Sequence, residues 1–212
     1  MKIVLKERQK IYISSDLHFS HTNLCRGVSN WTDKSGCRNF NSLEEMNEII
    51  LKGINDYVKE DDILILAGDI ILDGGKGTLP IFMKQIICKN IILVTGNHDN
   101  GIKKNHHDYQ SLFQTIHNDL MLEVHWVDEL GIIIETATFY ISHHPSAVWP
   151  NLERGVIHTH GHIHSTPAHK FGKGKMIDIG MDGNNMKVYD MLEIVNVMKN
   201  ITIESYVKHK IS

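Results

Sequence analysis

Three apolar, β-branched runs constrain this chain more than anything else in it. They are Ile11–Ser14, Ile63–Ala67 and Ile91–Val94, and each reads as a buried strand. Helical signals separate them. Ser42-Leu43-Glu44-Glu45 is an N-cap signature with Glu45 at the capping-box position. Leu43, Met46, Ile49, Ile50, Ile54, Tyr57 and Val58 then recur at three- and four-residue spacing, as on a helix packed against a sheet. A second helix is expected from about Leu79 to Cys88. Strand, helix, strand, helix, strand is the pattern of a parallel sheet with right-handed crossovers.

Each run stops at a cluster of polar groups able to bind metal. Ile11–Ser14 leads to Asp16-Leu17-His18, where carboxylate and imidazole two residues apart make half a divalent-metal site. Ile63–Ala67 stops at Gly68-Asp69, and Ile91–Val94 at Thr95-Gly96-Asn97-His98-Asp99. In the last, an amide oxygen can ligate, an imidazole can donate a proton, and a carboxylate can hold that imidazole. Strand ends are where open α/β sheets place ligands. Taken singly, each is ordinary turn chemistry; their repetition decides the reading.

After Asp99 the segment to Asn118 is polar and reads as a loop with a short helix. The pattern then changes. Met121–Val127, Gly131–Thr136 and Thr138–Ser142 are expected as strands joined by short turns, part of a second, more antiparallel sheet, with Asp128–Gly131 as a hairpin. The third run ends at His143-His144-Pro145. A strand from Gly155 ends at His160-Gly161-His162-Ile163-His164, where the glycine allows close backbone approach. Met176–Ile179 is a further strand, Asp182–Asn185 a turn, Val188–Met198 a helix or mixed element, and Ile201–Val207 an edge strand.

The 212 residues suit one domain with a substantial core. The net charge of −3 and the lack of a basic tail argue against extended nucleic-acid binding. Cys25, Cys37 and Cys88 share no zinc spacing, read as small buried residues, and with no signal-peptide pattern point to the cytoplasm. No apolar run reaches membrane-helix length. The glycines at 74, 75 and 77 are not followed by Gly-Lys-Ser/Thr, so they make no phosphate-cradling P-loop. The compositional excess is in histidine, 15 in all.

Of the strand-end groups Asp16, His18, Asp69, Asn97, His98, His143, His162 and His164, seven can ligate metal, too many for one first-row ion. Two ions sharing a carboxylate would use them, and the absence of cysteine argues against structural zinc. Here the chain resembles the calcineurin-like metallophosphoesterase superfamily. Its motifs match in order: Asp16-Leu17-His18, Gly68-Asp69, Gly96-Asn97-His98-Asp99, His143, and Gly161-His162-Ile163-His164. Asp16 through Asn23 and Glu44-Glu45-Met46-Asn47 further resemble its small, uncapped bacterial and phage members.

The resemblance implies a four-layer α/β/β/α sandwich of two mixed sheets with helices outside. It implies a two-metal phosphoesterase that cleaves a phosphodiester or phosphomonoester with a metal-activated bridging hydroxide. Asp69 would bridge, with Asp16, His18 and His164 completing one site and Asn97, His143 and His162 the other. His98 would protonate the leaving group or stabilise charge, oriented by Asp99. Mn²⁺ is the first expectation for the two ions, with Fe, Zn or Ni as alternatives. The substrate would be a small or nucleotide-like phosphate ester, met by His21, Asn23, Arg26 and Arg38 of the long loop 19–41. A nuclease of the same superfamily and a non-catalytic metal-binding scaffold for a protein partner are the competing readings. Many members carry a second acid three residues after the Gly-Asp aspartate, where this chain has Leu72 with Asp73 one later. That leaves the roles of Asp73, His144 and His160 open, along with the oligomeric state.

Overall fold

The computed structural model describes residues 1–72, 77–104 and 106–203. Asp73 and the Gly74-Gly75 turn lie outside the described residues, as do residues 204–207 of the expected edge strand; residues 201–203 form no strand.

Two five-stranded mixed sheets make the frame. The strands are β1 (Lys2–Val4), β2 (Ile11–Ser14), β3 (Ile63–Leu66), β4 (Asn90–Val94), β5 (Thr115–His117), β6 (Asp119–Val127), β7 (Ile133–Ser142), β8 (Ile157–His160), β9 (Met176–Asp178) and β10 (Tyr189–Asp190). The first sheet runs β10-β2-β3-β4-β5, parallel except for β10. The helices are α1 (Leu43–Asn55), α2 (Thr78–Gln85), α3 (Asn100–Lys104), α4 (His106–Tyr109) and α5 (Met191–Met198).

The apolar runs are continuous because both faces of the first sheet are buried. Leu64 and Leu66 of β3, with Ile91 and Leu93 of β4, face Met46, Ile50 and Ile54 of α1 and Leu79 and Phe82 of α2. Ile63, Ile65, Ile92 and Val94 point the other way, into a core shared with Leu120, Leu122, Val124, Phe139 and Ile141 of the second sheet. The sheets therefore pack face to face. Ser42 caps α1 by accepting the Glu45 N–H, and the Glu45 carboxylate reaches back to the Asn41 N–H. All three cysteines are buried and free.

The second sheet departs from expectation. Its order is β1-β6-β7-β8-β9, and only β6–β7 is antiparallel. The hairpin at Asp128–Gly131 is present, with the Gly131 N–H donating to the Asp128 carbonyl. The two strands expected over 131–142 are one, Ile133–Ser142. The polar segment before Asn118 holds a short edge strand, β5, beside its helical turns. The outer layer over the second sheet is thin: Trp149, Leu152 and Val156 pack on Met121, Tyr140 and Met176 around a 3-10 turn at Leu152–Arg154. α5 buries Met191, Ile194, Val195 and Met198 in the core between the sheets.

Candidate metal centre

Every expected ligand follows a strand. Asp16 comes after β2, Asp69 after β3, Asn97 after β4, His143 after β7, and His162 and His164 after β8. Because β2, β3 and β4 are parallel, their carboxyl ends share one edge, and β7 and β8 likewise run together. Cross-links join the turns: the Asp16 N–H donates to the Gly68 carbonyl, His18 N–H to Asp69 and Gly161 N–H to His143.

Two groups of side chains result, Asp16 with His18 and His164, and Asp69 with His143 and His162. In the first, the His18 and His164 Nε2 atoms are 3.2 Å apart, and Asp16 Oδ1 lies 3.6 Å from His164 Nε2. In the second, His143 Nε2 is 3.2 Å from Asp69 Oδ2 and 3.0 Å from Asn97 Oδ1. Asp69 Oδ2 is also 3.9 Å from His18 Nε2, so this one oxygen faces both groups.

The hydrogen bonds around these atoms leave the inward ones bare. Asp16 Oδ2 accepts from the Ser15 hydroxyl and the His162 N–H, while the buried Oδ1 has no partner. Asp69 Oδ1 accepts the His98 N–H, leaving Oδ2 directed inward. His143 donates Nδ1–H to the Ala67 carbonyl and His164 donates Nδ1–H to Asp182, so both Nε2 lone pairs face in. Buried oxygen and nitrogen lone pairs converging this closely are the donor set of a first-row divalent cation. The residues present therefore fit the metal ions that the sequence implied.

Burial raises the Asp16 pKa, and burial with the nearby His164 lowers that of His18. Burial opposes ionisation of Asp69, but His143 when protonated and the His98 N–H outweigh it and lower its pKa. For His143 burial is again overcome, by Asp69 and Asp16, and its pKa rises.

Three motif glycines make room for these groups. A Cβ on Gly96 would stand 2.2 Å from Asp69 Oδ1, and one on Gly161 2.3 Å from Asp16 Oδ2. One on Gly68, which has a φ of +93°, would stand 2.5 Å from His143 Nδ1. Five of the ligand positions themselves have left-handed backbone: Asp16 (φ 54°), His18 (49°), Asp69 (54°), His162 (74°) and His164 (49°). Such backbone is rare outside glycine and gathers at functional sites.

Other expected site residues fall differently. His98 is 40% exposed, with Nε2 3.8 Å from Asp69 Oδ2 and its ring edge-on to His18. Asp99 does not orient it: the buried Asp99 carboxylate accepts the N–H groups of Asp69, Ile70 and Gly96, bracing the turns beneath the site. Arg38 is no free phosphate arm. It is buried, holds Asp182 through Nε and Nη2, and donates to the Asp16 and Leu17 carbonyls. Asn23 is spent on the Asn30 N–H within its own loop. His21 is buried with its ring 5.3 Å from His18, and Arg26 is exposed. His144 is exposed and lies with its ring 4.3 Å from His162, on the cleft side. His160 is buried and bonds the Gly161 carbonyl, a structural part.

Two aspartates escaped the sequence reading. Asp182, taken as a turn residue, touches His164 and Arg38; their hydrogen bonds outweigh its burial and lower its pKa. Asp178 is fully buried and accepts the Ser165 and Gly180 N–H groups, fixing the turn after His164. Neither stands at a motif spacing from the residues it serves.

A sandwich with histidine, carboxylate and amide donors gathered at strand ends defines a metal-dependent phosphoesterase. The family model for calcineurin-like phosphoesterases matches residues 9–190, and the chain belongs to that family. It is 25% identical over 194 residues to an uncharacterised protein of Methanocaldococcus jannaschii, MJ1445, covering 90% of this chain and 92% of that one. Among solved structures it is similar to the protein of unknown function AQ665 from Aquifex aeolicus, with 20% identity and a TM-score of 0.59. That likeness covers 90% of this chain and all of the other, and concerns the fold. Among the described residues no helix is long and apolar enough to cross a membrane.

Proposed function

We propose that the chain is a single calcineurin-like domain that uses two divalent metal ions, Mn²⁺ foremost, to hydrolyse a phosphodiester or phosphomonoester of a small, nucleotide-like substrate in the cytoplasm. The observation that carries this reading is Asp69 Oδ2, which lies 3.2 Å from His143 Nε2 and 3.9 Å from His18 Nε2. In this reading Asp69 is shared, Asp16, His18 and His164 hold one ion, and Asn97, His143 and His162 hold the other. The bound ions would supply an activated water as nucleophile and neutralise charge on the phosphoryl oxygens.

The chain's own residues do the rest. His98 reaches over Asp69 from a half-exposed position, where Nε2 can give a proton to the departing oxygen. Its backbone N–H holds Asp69 Oδ1, which ties the turn carrying His98 to the shared carboxylate. In this reading His21 beside His18 and the exposed His144 beside His162 border the approach to the ions. The net charge of −3 favours a small ester over an extended nucleic acid. The intact donor set favours an enzyme over a scaffold.

The test reconstitutes metal-stripped protein with Mn²⁺, Fe²⁺, Zn²⁺ or Ni²⁺ and assays mono- and diesters. Asp69→Ala should abolish turnover and most bound metal. His98→Ala should keep its metal and lose about 10²–10⁴-fold in rate, more for alkoxide than for nitrophenolate leaving groups. Equal losses for both leaving groups would refute the acid role, and full metal in Asp69→Ala would refute the shared carboxylate.

A further inference from the structure

Beyond the ligands, we propose that Asp182 and Arg38 form a positioning relay for the first metal group. It fixes the tautomer of His164 and ties that imidazole to the backbone that aims Asp16. The inference rests on the metal-centre reading above and adds to it two residues that touch no ion.

The geometry runs in one unbroken chain of contacts. His164 Nδ1 is 2.8 Å from Asp182 Oδ2. That oxygen also receives Arg38 Nη2 at 2.9 Å, and Oδ1 receives Nε at 2.8 Å, a two-pronged fork on one carboxylate. Two further donors of the guanidinium go to the Leu17 carbonyl at 2.7 Å and the Asp16 carbonyl at 2.5 Å. Those carbonyls lie in the left-handed turn that carries Asp16 and His18. Arg38 itself is held by the backbone of its loop, its N–H on the Leu24 carbonyl and its carbonyl on the Arg26 N–H.

Two consequences follow from the chemistry. A carboxylate accepts but does not donate, so His164 must carry its proton on Nδ1 and present a bare Nε2 to Asp16 and His18. A planar guanidinium with its donors set at fixed angles keeps the Asp182 carboxylate and the 16–17 turn in one relative placement, which a lysine could not. Among the described residues the second group has no equivalent: His143 leans on a neutral backbone carbonyl. Losing the Asp182 charge should therefore weaken one metal site and spare the other.

The test is titration of metal-free protein with Mn²⁺ alone by calorimetry, beside ¹⁵N-histidine NMR of the same samples. In native protein, above the pH at which the ring titrates, neutral His164 should carry its proton on Nδ1 and leave Nε2 bare. Asp182→Asn should weaken one of the two Mn²⁺ binding steps by about 10–100-fold and leave the other unchanged. Asp182→Glu, which keeps the charge, should recover part of the loss. A neutral His164 protonated on Nε2 and bare at Nδ1 in the native protein overturns the relay whether or not any variant folds. Unchanged Mn²⁺ binding in a folded Asp182→Asn protein, or equal weakening of both steps, overturns it too. Asp182-dependent Mn²⁺ binding in a protein that hydrolyses no phosphate ester would support the relay while refuting the proposed function.

Discussion

Protonating His158 should unfold this protein more readily than any contact on its surface would suggest. The side chain is fully buried on β8 and uses both ring nitrogens. Nδ1–H donates to the Tyr140 carbonyl at 3.1 Å, and Nε2 accepts the Ser146 N–H at 3.0 Å. Only the neutral ring can do both. Burial lowers its pKa from 6.5 to about 4, with the Tyr140 bond opposing and His160 adding to the fall. Between these values the unfolded chain binds the proton and the folded chain does not. The contribution to stability is therefore complete above pH 6.5, declines as pH falls, and is exhausted near pH 4. Its ceiling is about 3 kcal/mol, with a slope approaching ~1.4 kcal/mol per pH unit. The assay is urea unfolding of metal-free protein across this range, beside His158→Gln, which cannot titrate. Groups remote from His158 cancel in the difference. That difference should shrink steadily as pH falls; parallel curves would show that His158 is not held neutral by burial and Ser146.

Two further outcomes separate bracing from chemistry. Asp99→Asn puts an amide N–H against one of the three backbone donors and should cost about 1–3 kcal/mol in metal-free urea unfolding; unchanged stability with lost turnover would restore Asp99 as the partner of His98. Gly161→Ala places a methyl 2.1 Å from Ser15 Oγ and 2.3 Å from Asp16 Oδ2, so elemental analysis should find less Mn²⁺ retained in a still-folded protein; native metal content would show that Asp16 is not held against this turn.

What the sequence makes legible follows from range and burial. β2, β3 and β4 are readable because each is buried on both faces and so spells an uninterrupted apolar run. β5 is readable by nothing local: Thr115–His117 is three half-buried residues at a sheet edge. β7 looks broken because its first half is polar or exposed, yet its pairing with β6 runs through Ala137 without interruption. The parallel pairings of β1 with β6 and β7 with β8 are long-range and leave no trace in periodicity, so a hairpin next to them suggested a more antiparallel sheet. The inner donors were legible because strand-end motifs concentrate them. Their supports were not. Arg38 and Asp182 are 144 residues apart, and Asp99, though adjacent to His98, turns its carboxylate back under the chain.

The left-handed backbone at Asp16, His18, Asp69, His162 and His164 places a conformational expense on the candidate ligands themselves. Each such residue holds a conformation that glycine would adopt freely, at an expense of roughly 1–2 kcal/mol for an L side chain. Replacement with glycine would release that strain, but at Asp16 and Asp69 it would also strip the Ser15, His162 and His98 donors of their acceptor. Conformational expense and hydrogen-bond gain therefore sit on the same side chains, and the groups that face inward are also the ones that hold their own turns in left-handed form.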